Sequence, residues 1–172
     1  MIDLYDAMSS LRAVRRLKPD PIAEDVLERV LQAAAWAPTG GNMQPFKIVV
    51  AESDAVKAQI KTLYHEEWHK YIAPTRNGLD KLPEQARDGT QKMIRAGDYL
   101  AEHMESTPAI LIFCFNPAMM AFTDANLDRP SVVGGGSVYT AVQNVMLACR
   151  AEGLGCVLTT LLCLREKELK AI

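Results

Sequence analysis

Ala37-Pro38-Thr39-Gly40-Gly41-Asn42-Met43-Gln44-Pro45-Phe46 joins a helical pattern to a β-branched run. Two prolines, two glycines and an asparagine within ten residues cannot continue a helix. They spell an ordered loop with special backbone angles. Such a loop exposes backbone N–H groups and short polar side chains at one point, which is what a flat, hydrogen-bonding ligand needs. Read alone, the stretch is equally a plain helix–strand connection.

Upstream, Ala23 to Trp36 reads as the clearest helix: Val26, Leu27, Val30, Leu31 and Ala34 recur at 3.6-residue spacing, with Glu24 and Asp25 in the first turn. A first helix is expected from Asp3 to about Arg12. Downstream, Phe46 to Glu52 reads as a strand, and Ser53 caps a helix to about Tyr71. Ala73 to Gly89, with Pro74, Gly78, Pro83 and Gly89 among charges, reads as a mobile loop or insertion. A helix is expected over Thr90–Ser106, and a strand buried on both faces over Ala109–Phe115. Asn116–Gly136 reads as irregular. Ser137–Glu152 is so apolar that it reads as a helix buried nearly all round, ended by Gly153 and Gly155. Cys156–Thr160 reads as a strand. Leu164–Ile172 opens a helical pattern that nothing closes, which suggests a C-terminal truncation or the end of the ordered part.

The 172 residues suggest one domain with a sizeable core. A net charge of −2 without long runs of one sign leaves no nucleic-acid footprint. The longest apolar run is far short of a bilayer span, so no membrane association is expected. The N-terminus lacks the basic and apolar regions of a signal peptide. Cys114, Cys149, Cys156 and Cys163 form no C-x-x-C pair, and three of them read as reduced core residues. A cytoplasmic protein fits.

Arg12 and Arg15 lie three apart, so on a helix end they share a side. Two guanidiniums there hold a phosphate, or form an ordinary basic surface. His65-Glu66-Glu67-Trp68-His69 satisfies H-E-x-x-H and allows a zinc hydrolase using His65, Glu66 and His69. Catalytic zinc wants a third protein ligand, however, and no motif supplies one, so no metal is expected. Gly134-Gly135-Gly136 precedes a helix and reads as tight packing or a turn ahead of an anion cradle. No Ser-His-Asp elbow, P-loop or G-x-G-x-x-G is present.

Three segments together carry a resemblance: Leu11-Arg12-Ala13-Val14-Arg15-Arg16-Leu17-Lys18-Pro19, the loop Ala37–Phe46, and Ser137–Asn144 followed by Gly153-Leu154-Gly155-Cys156-Val157-Leu158-Thr159-Thr160. In order and spacing they resemble the nitroreductase family of flavin enzymes. The likeness is weak between about Lys70 and Ser106. It implies an α+β fold with a small, mostly antiparallel sheet among helices, and an intertwined homodimer centred on the Ser137–Glu152 helix. Residues 1–172 would form a single flavin-binding domain without the family's C-terminal extension.

The resemblance further implies FMN as cofactor, held by Arg12, Ala13, Arg15, Pro38, Thr39, Gly40, Asn42, Leu158, Thr159 and Thr160. Leu11 stands where the family has its first arginine, and Ala13 where it has a serine. Thr39 replaces a serine and keeps the hydroxyl. No side chain is expected to be catalytic, since flavin N5 carries the chemistry: hydride from NAD(P)H (NADH or NADPH) to a nitroaromatic, quinone or similar small aromatic acceptor. Arg15 would supply positive charge to the reduced ring, and Thr159 or Thr160 would tune N5. Beside the zinc hydrolase stands a further alternative, a non-catalytic interaction module with a decayed flavin site.

Overall fold

The computed structural model describes residues 2–172. Its contacts gather into two compact units. The first comprises the stretch ending at Ala13 with Pro21–Val50 and Leu111–Cys156; the second comprises Val14–Asp20, Ala51–Ile110 and Val157–Ile172.

In the first unit, helix α1 (Leu4–Ser10) starts where the Asp3 carboxylate accepts from the Tyr5 N–H at 2.9 Å. Helix α2 (Glu24–Ala35) buries Val30, Ala33 and Ala34, the face its apolar spacing marks. It packs on the long helix α5 (Gly136–Ala151), which buries Val138, Ala141, Val142, Val145 and Cys149. Ala34 and Ala141 keep the helices close, and Val30 is almost wholly enclosed. Burying one such valine contributes roughly 1.5–3 kcal/mol. Polar bonds fix the register of the pair: Asn144 Nδ2 donates to the Ala33 carbonyl at 3.0 Å, and the Arg29 fork meets both Glu152 oxygens at 2.9 Å. Phe46 and Ile48 of β1 (Phe46–Ala51), with Leu111 and Phe113 of β2 (Ile110–Phe115), cover the same core. The strands run antiparallel, since the Asn116 N–H after β2 reaches the Pro45 carbonyl before β1.

In the second unit, α3 (Asp54–Asn77) packs against α4 (Glu84–His103). Ile60, Tyr64, Trp68 and Ile72 form its buried stripe. The Trp68 ring lies so close to Gly97 that a Cβ there would stand 2.1 Å from Trp68 Cζ2. Trp68 Nε1 donates to Asp98 at 2.8 Å, and Arg76 reaches the same oxygen at 2.7 Å. Buried Lys57 donates to the Thr107 carbonyl at 2.9 Å and pairs with Asp54. The chain ends in a 3₁₀ turn (Leu161–Arg165) and the short α6 (Glu166–Leu169). Arg165 there joins Glu66, Glu67 and Glu168.

Several sequence expectations change. α1 stops at Ser10, because Leu11 turns to extended angles, so Arg12 and Arg15 lie beyond a helix rather than on one. Residues 73–89 form no loop: α3 runs through Pro74 to Asn77, a 3₁₀ turn spans Leu79–Lys81, and α4 starts at Glu84 with Gly89 inside it. Pro74 removes only the bond to the carbonyl of Lys70, and both residues lie on the exposed face of the helix. Strand β2 is half-buried, with Cys114 and Phe115 exposed. α5 is buried along one face, while Tyr139 is exposed and Met146, Leu147 and Ala148 are half-covered. Cys156–Thr160 makes no strand: a single parallel bridge joins Cys156 to Ala13, and a strand needs a partner along its length. All four cysteines are free, Cys149 and Cys156 in the core, Cys114 and Cys163 exposed. The hydrogen bond between Cys149 and Cys156, with burial, pushes the Cys149 thiol up.

Candidate functional site

The loop between α2 and β1 holds four of the expected cofactor residues, and its backbone is unusual. Thr39 is extended, Gly40–Asn42 make one 3₁₀ turn, and φ is positive at Gly41 (58°), Asn42 (56°) and Gln44 (46°). Glycine and asparagine visit this region readily, but glutamine does not, so neighbours must enforce it. They do: Thr39 Oγ1 accepts from the Gln44 N–H at 3.0 Å. Two hydroxyls of α5 hold the other side. Ser137 Oγ accepts from the Gly40 N–H at 3.1 Å, and Thr140 Oγ1 donates to the Pro38 carbonyl at 3.2 Å.

This arrangement sorts the loop's donors. The amides of Gly40, Asn42, Met43 and Gln44 are all spent within the unit. Among the described residues of the loop, the amides of half-buried Thr39 and exposed Gly41 have no protein acceptor. Because the Thr39 hydroxyl accepts from Gln44, its proton is left to donate outward. The residue types alone offered both Gly40 and Gly41 to a ligand; Gly40 faces α5 instead. Ser137 and Thr140 had no role on sequence grounds. Two hydroxyl residues three apart at the start of a largely apolar helix were the available signal.

Arg12 and Ala13 also belong to the first unit. Arg12 Nη1 donates to the carbonyls of Ser9 (2.8 Å) and Leu11 (2.7 Å), closing the end of α1 while its side chain stays exposed. Ala13 is fixed by its bridge to Cys156. Further along, Asp124 is buried and accepts from Ser131 Oγ (2.7 Å), the Val132 N–H (2.8 Å) and Arg129 Nη1 (2.8 Å). Those donors, the Val132 amide first, hold its carboxyl down at about 2. The glycines that follow serve packing: a Cβ at Gly134 would meet Phe122 at 2.7 Å, and one at Gly135 would meet Tyr139 at 2.4 Å.

The second unit carries Arg15, Leu158, Thr159 and Thr160. Arg15 and Thr159 are half-buried, Leu158 and Thr160 exposed. The hydroxyl of Thr159 accepts from the Leu161 N–H at 3.5 Å. Burial raises the pKa of Tyr64, and the Thr159 hydroxyl opposes the rise. The Arg15 charge opposes it too. Arg16 is no free surface charge: its guanidinium lies 4.1 Å above the Tyr99 ring, which stacks on His103. On α3, His65 and His69 come together as the spacing requires, Nε2 to Nε2 at 3.1 Å. Glu66, the candidate base, is held by Arg165 at 2.6 Å. Among the described residues no group of three or more His, Cys, Asp or Glu is placed to hold a metal ion.

The helix-rich α+β fold with its small antiparallel sheet is nitroreductase-like. The chain belongs to the Nitroreductase family, whose match spans residues 9–168. It is 27% identical over 157 residues to an NADH dehydrogenase of Thermus thermophilus, covering 91% of this chain and 73% of that one. To nitroreductase NfnB of Mycolicibacterium smegmatis it is 26% identical over 167 residues, covering 89% and 70%. In fold it is similar to an iodotyrosine deiodinase bound to FMN and 3-iodo-L-tyrosine, with a TM-score of 0.66 at 21% identity, covering 95% of this chain and 81% of that one.

Proposed function

We propose that the protein is an FMN-dependent oxidoreductase. The observation that carries the proposal is the loop at Pro38–Gln44, which spends the Gly40, Asn42, Met43 and Gln44 amides on the protein and leaves the Thr39 and Gly41 amides and the Thr39 hydroxyl for a flat ligand with carbonyl and ring-nitrogen acceptors. That donor set fits a flavin. When bound, FMN would take a hydride from NAD(P)H and deliver electrons to a nitroaromatic, quinone or similar acceptor. Arg12, Ala13, Pro38, Thr39, Gly40 and Asn42 would hold the FMN. In this reading Gly40 acts through its bond to Ser137, which keeps the loop in place, and Arg12 turns from the Ser9 and Leu11 carbonyls to a phosphate, a stronger charge-assisted partner. Arg15, Leu158, Thr159 and Thr160 would also bear on it, with Arg15 supplying positive charge and Thr159 a hydroxyl. The half-covered Met146, Leu147 and Ala148 with exposed Tyr139 on α5 support a homodimer. Among the described residues no helix is long and apolar enough to cross a membrane. A cytoplasmic site of action belongs to the same reading.

The test is a visible spectrum of the purified protein, followed by chromatography of heat-released cofactor. FMN supports the reading; FAD alone, or no flavin after reconstitution, overturns it. Arg15→Ala is expected to weaken flavin binding at least about tenfold, the loss of a charge-assisted hydrogen bond. Arg16→Ala, which removes only the stack on Tyr99, should leave flavin binding unchanged. Turnover of a nitroaromatic, a quinone and 3-iodo-L-tyrosine, each with NADH and with NADPH, identifies the acceptor and donor.

A further inference from the structure

The pair His65 and His69 takes no part in the proposed flavin chemistry, yet its geometry is specific. Their Nε2 atoms stand 3.1 Å apart on an exposed face of α3, with the rings edge to face at 4.3 Å between centroids. Ligand nitrogens about 2.05 Å from zinc are separated by about 2.9 Å at a right angle and by about 3.3 Å at the tetrahedral angle. The observed separation falls between the two. The cations near the pair are engaged elsewhere: Lys61 with Glu105 at 3.7 Å, Lys70 with Glu67 at 2.7 Å, and Arg165 with Glu66 and Glu67. Glu66 is in turn withdrawn from the pair by Arg165.

We propose that His65 and His69 form a two-histidine site for an exchangeable borderline divalent cation of the zinc and copper class, with water completing the coordination. Without metal, two neutral rings this close share one Nε2 proton as an N–H···N bond. A metal ion takes the place of that proton. The donor ring moves it to Nδ1, so both Nε2 lone pairs become ligands and no net proton is released from neutral rings. With two protein ligands the site lacks the third that catalytic zinc requires, and it would act as a clip across one turn of α3.

The full-length protein would be titrated with zinc chloride at pH 7.5 by calorimetry, and with one equivalent of copper(II) for electron paramagnetic resonance. The expected result is one saturable zinc per chain, weakened more than tenfold in both His65→Gln and His69→Gln and unchanged in His103→Gln. The copper spectrum of the unmutated protein should show two coordinated imidazole nitrogens, a readout independent of whether any variant folds. No saturable zinc, equal affinity in the paired variants and the parent, or a copper spectrum with a single imidazole nitrogen would each overturn the site.

Discussion

Two loops of the first unit are fastened by opposite chemistries. The loop at Pro38–Gln44 is held by neutral hydroxyls: Thr39 bonds the loop to itself, while Ser137 and Thr140 bond it to the start of α5. The segment Asp124–Gly134, which leads into the same helix end, is held by one buried carboxylate that gathers a hydroxyl, an amide and a guanidinium. Ser131 extends that cluster by accepting from the Gly134 N–H at 3.1 Å. A charge fastens strongly and depends on pH. Hydroxyls fasten weakly, ignore pH, and leave protons to offer elsewhere. A loop that presents donors to a ligand is better held by the second chemistry.

The comparison breaks most readily at Asp124. Asp124→Ala leaves three donors without their acceptor and is expected to lower the melting temperature more than any single change in the Pro38–Gln44 loop. Amide exchange at Val132 should accelerate, while Gln44 stays protected. The effect has a definite pH window. Because the folded carboxyl is held near 2 and the unfolded one titrates near about 3.9, the stabilisation is fully present above roughly pH 4 and is lost as pH falls toward 2. The gap between parent and Asp124→Asn should therefore close over that range. A gap of equal size at pH 2.5 and pH 7 would remove the charge from the argument.

Gly41→Ala comes next. It places a Cβ in the left-handed region at φ 58°, at a cost of about 1–2 kcal/mol. Thr39→Val strips the Gln44 amide of its acceptor, at about 1 kcal/mol with no change between pH 3 and pH 8, measured by urea denaturation. It should also lower flavin occupancy, because the donated hydroxyl proton goes with it. Ser137→Ala is the smallest, about 0.5 kcal/mol, since water can reach the exposed Gly40 amide it frees. Should Ser137→Ala prove costlier than Gly41→Ala, the loop would be held from α5 rather than by its own turn.

Much of this was legible in the residues. α2 follows from its apolar spacing, and the Pro38–Gln44 loop from its glycines and asparagine, because both signals are local. The charged and proline-bearing stretch at 73–89 was not, since a proline that gives up one hydrogen bond on the exposed face can stay in a helix whose other face is buried by Tyr64, Trp68 and Ile72. Cys156–Thr160 looked like a strand because β-branched composition records compatibility with pairing, while pairing itself depends on a distant partner that reaches only Cys156. Of the expected site residues, the sequence named those of the loop but could not say that Gly40 points inward, because that depends on a serine nearly a hundred residues away. Nor could it show that Arg16 is taken up by Tyr99, or that Thr159 is met by Tyr64. Those are long-range contacts between single side chains, with no periodic trace.

The close seat of Trp68 against Gly97 has a practical consequence. The chain has two tryptophans. Trp68 is buried in the second unit, and Trp36, 74% exposed, belongs to the first. Their emission should differ in colour, short-wavelength from the enclosed indole and long-wavelength from the solvated one. Each unit thus carries its own intrinsic fluorophore, and recording both edges of the band during a melt follows the two units side by side without a label.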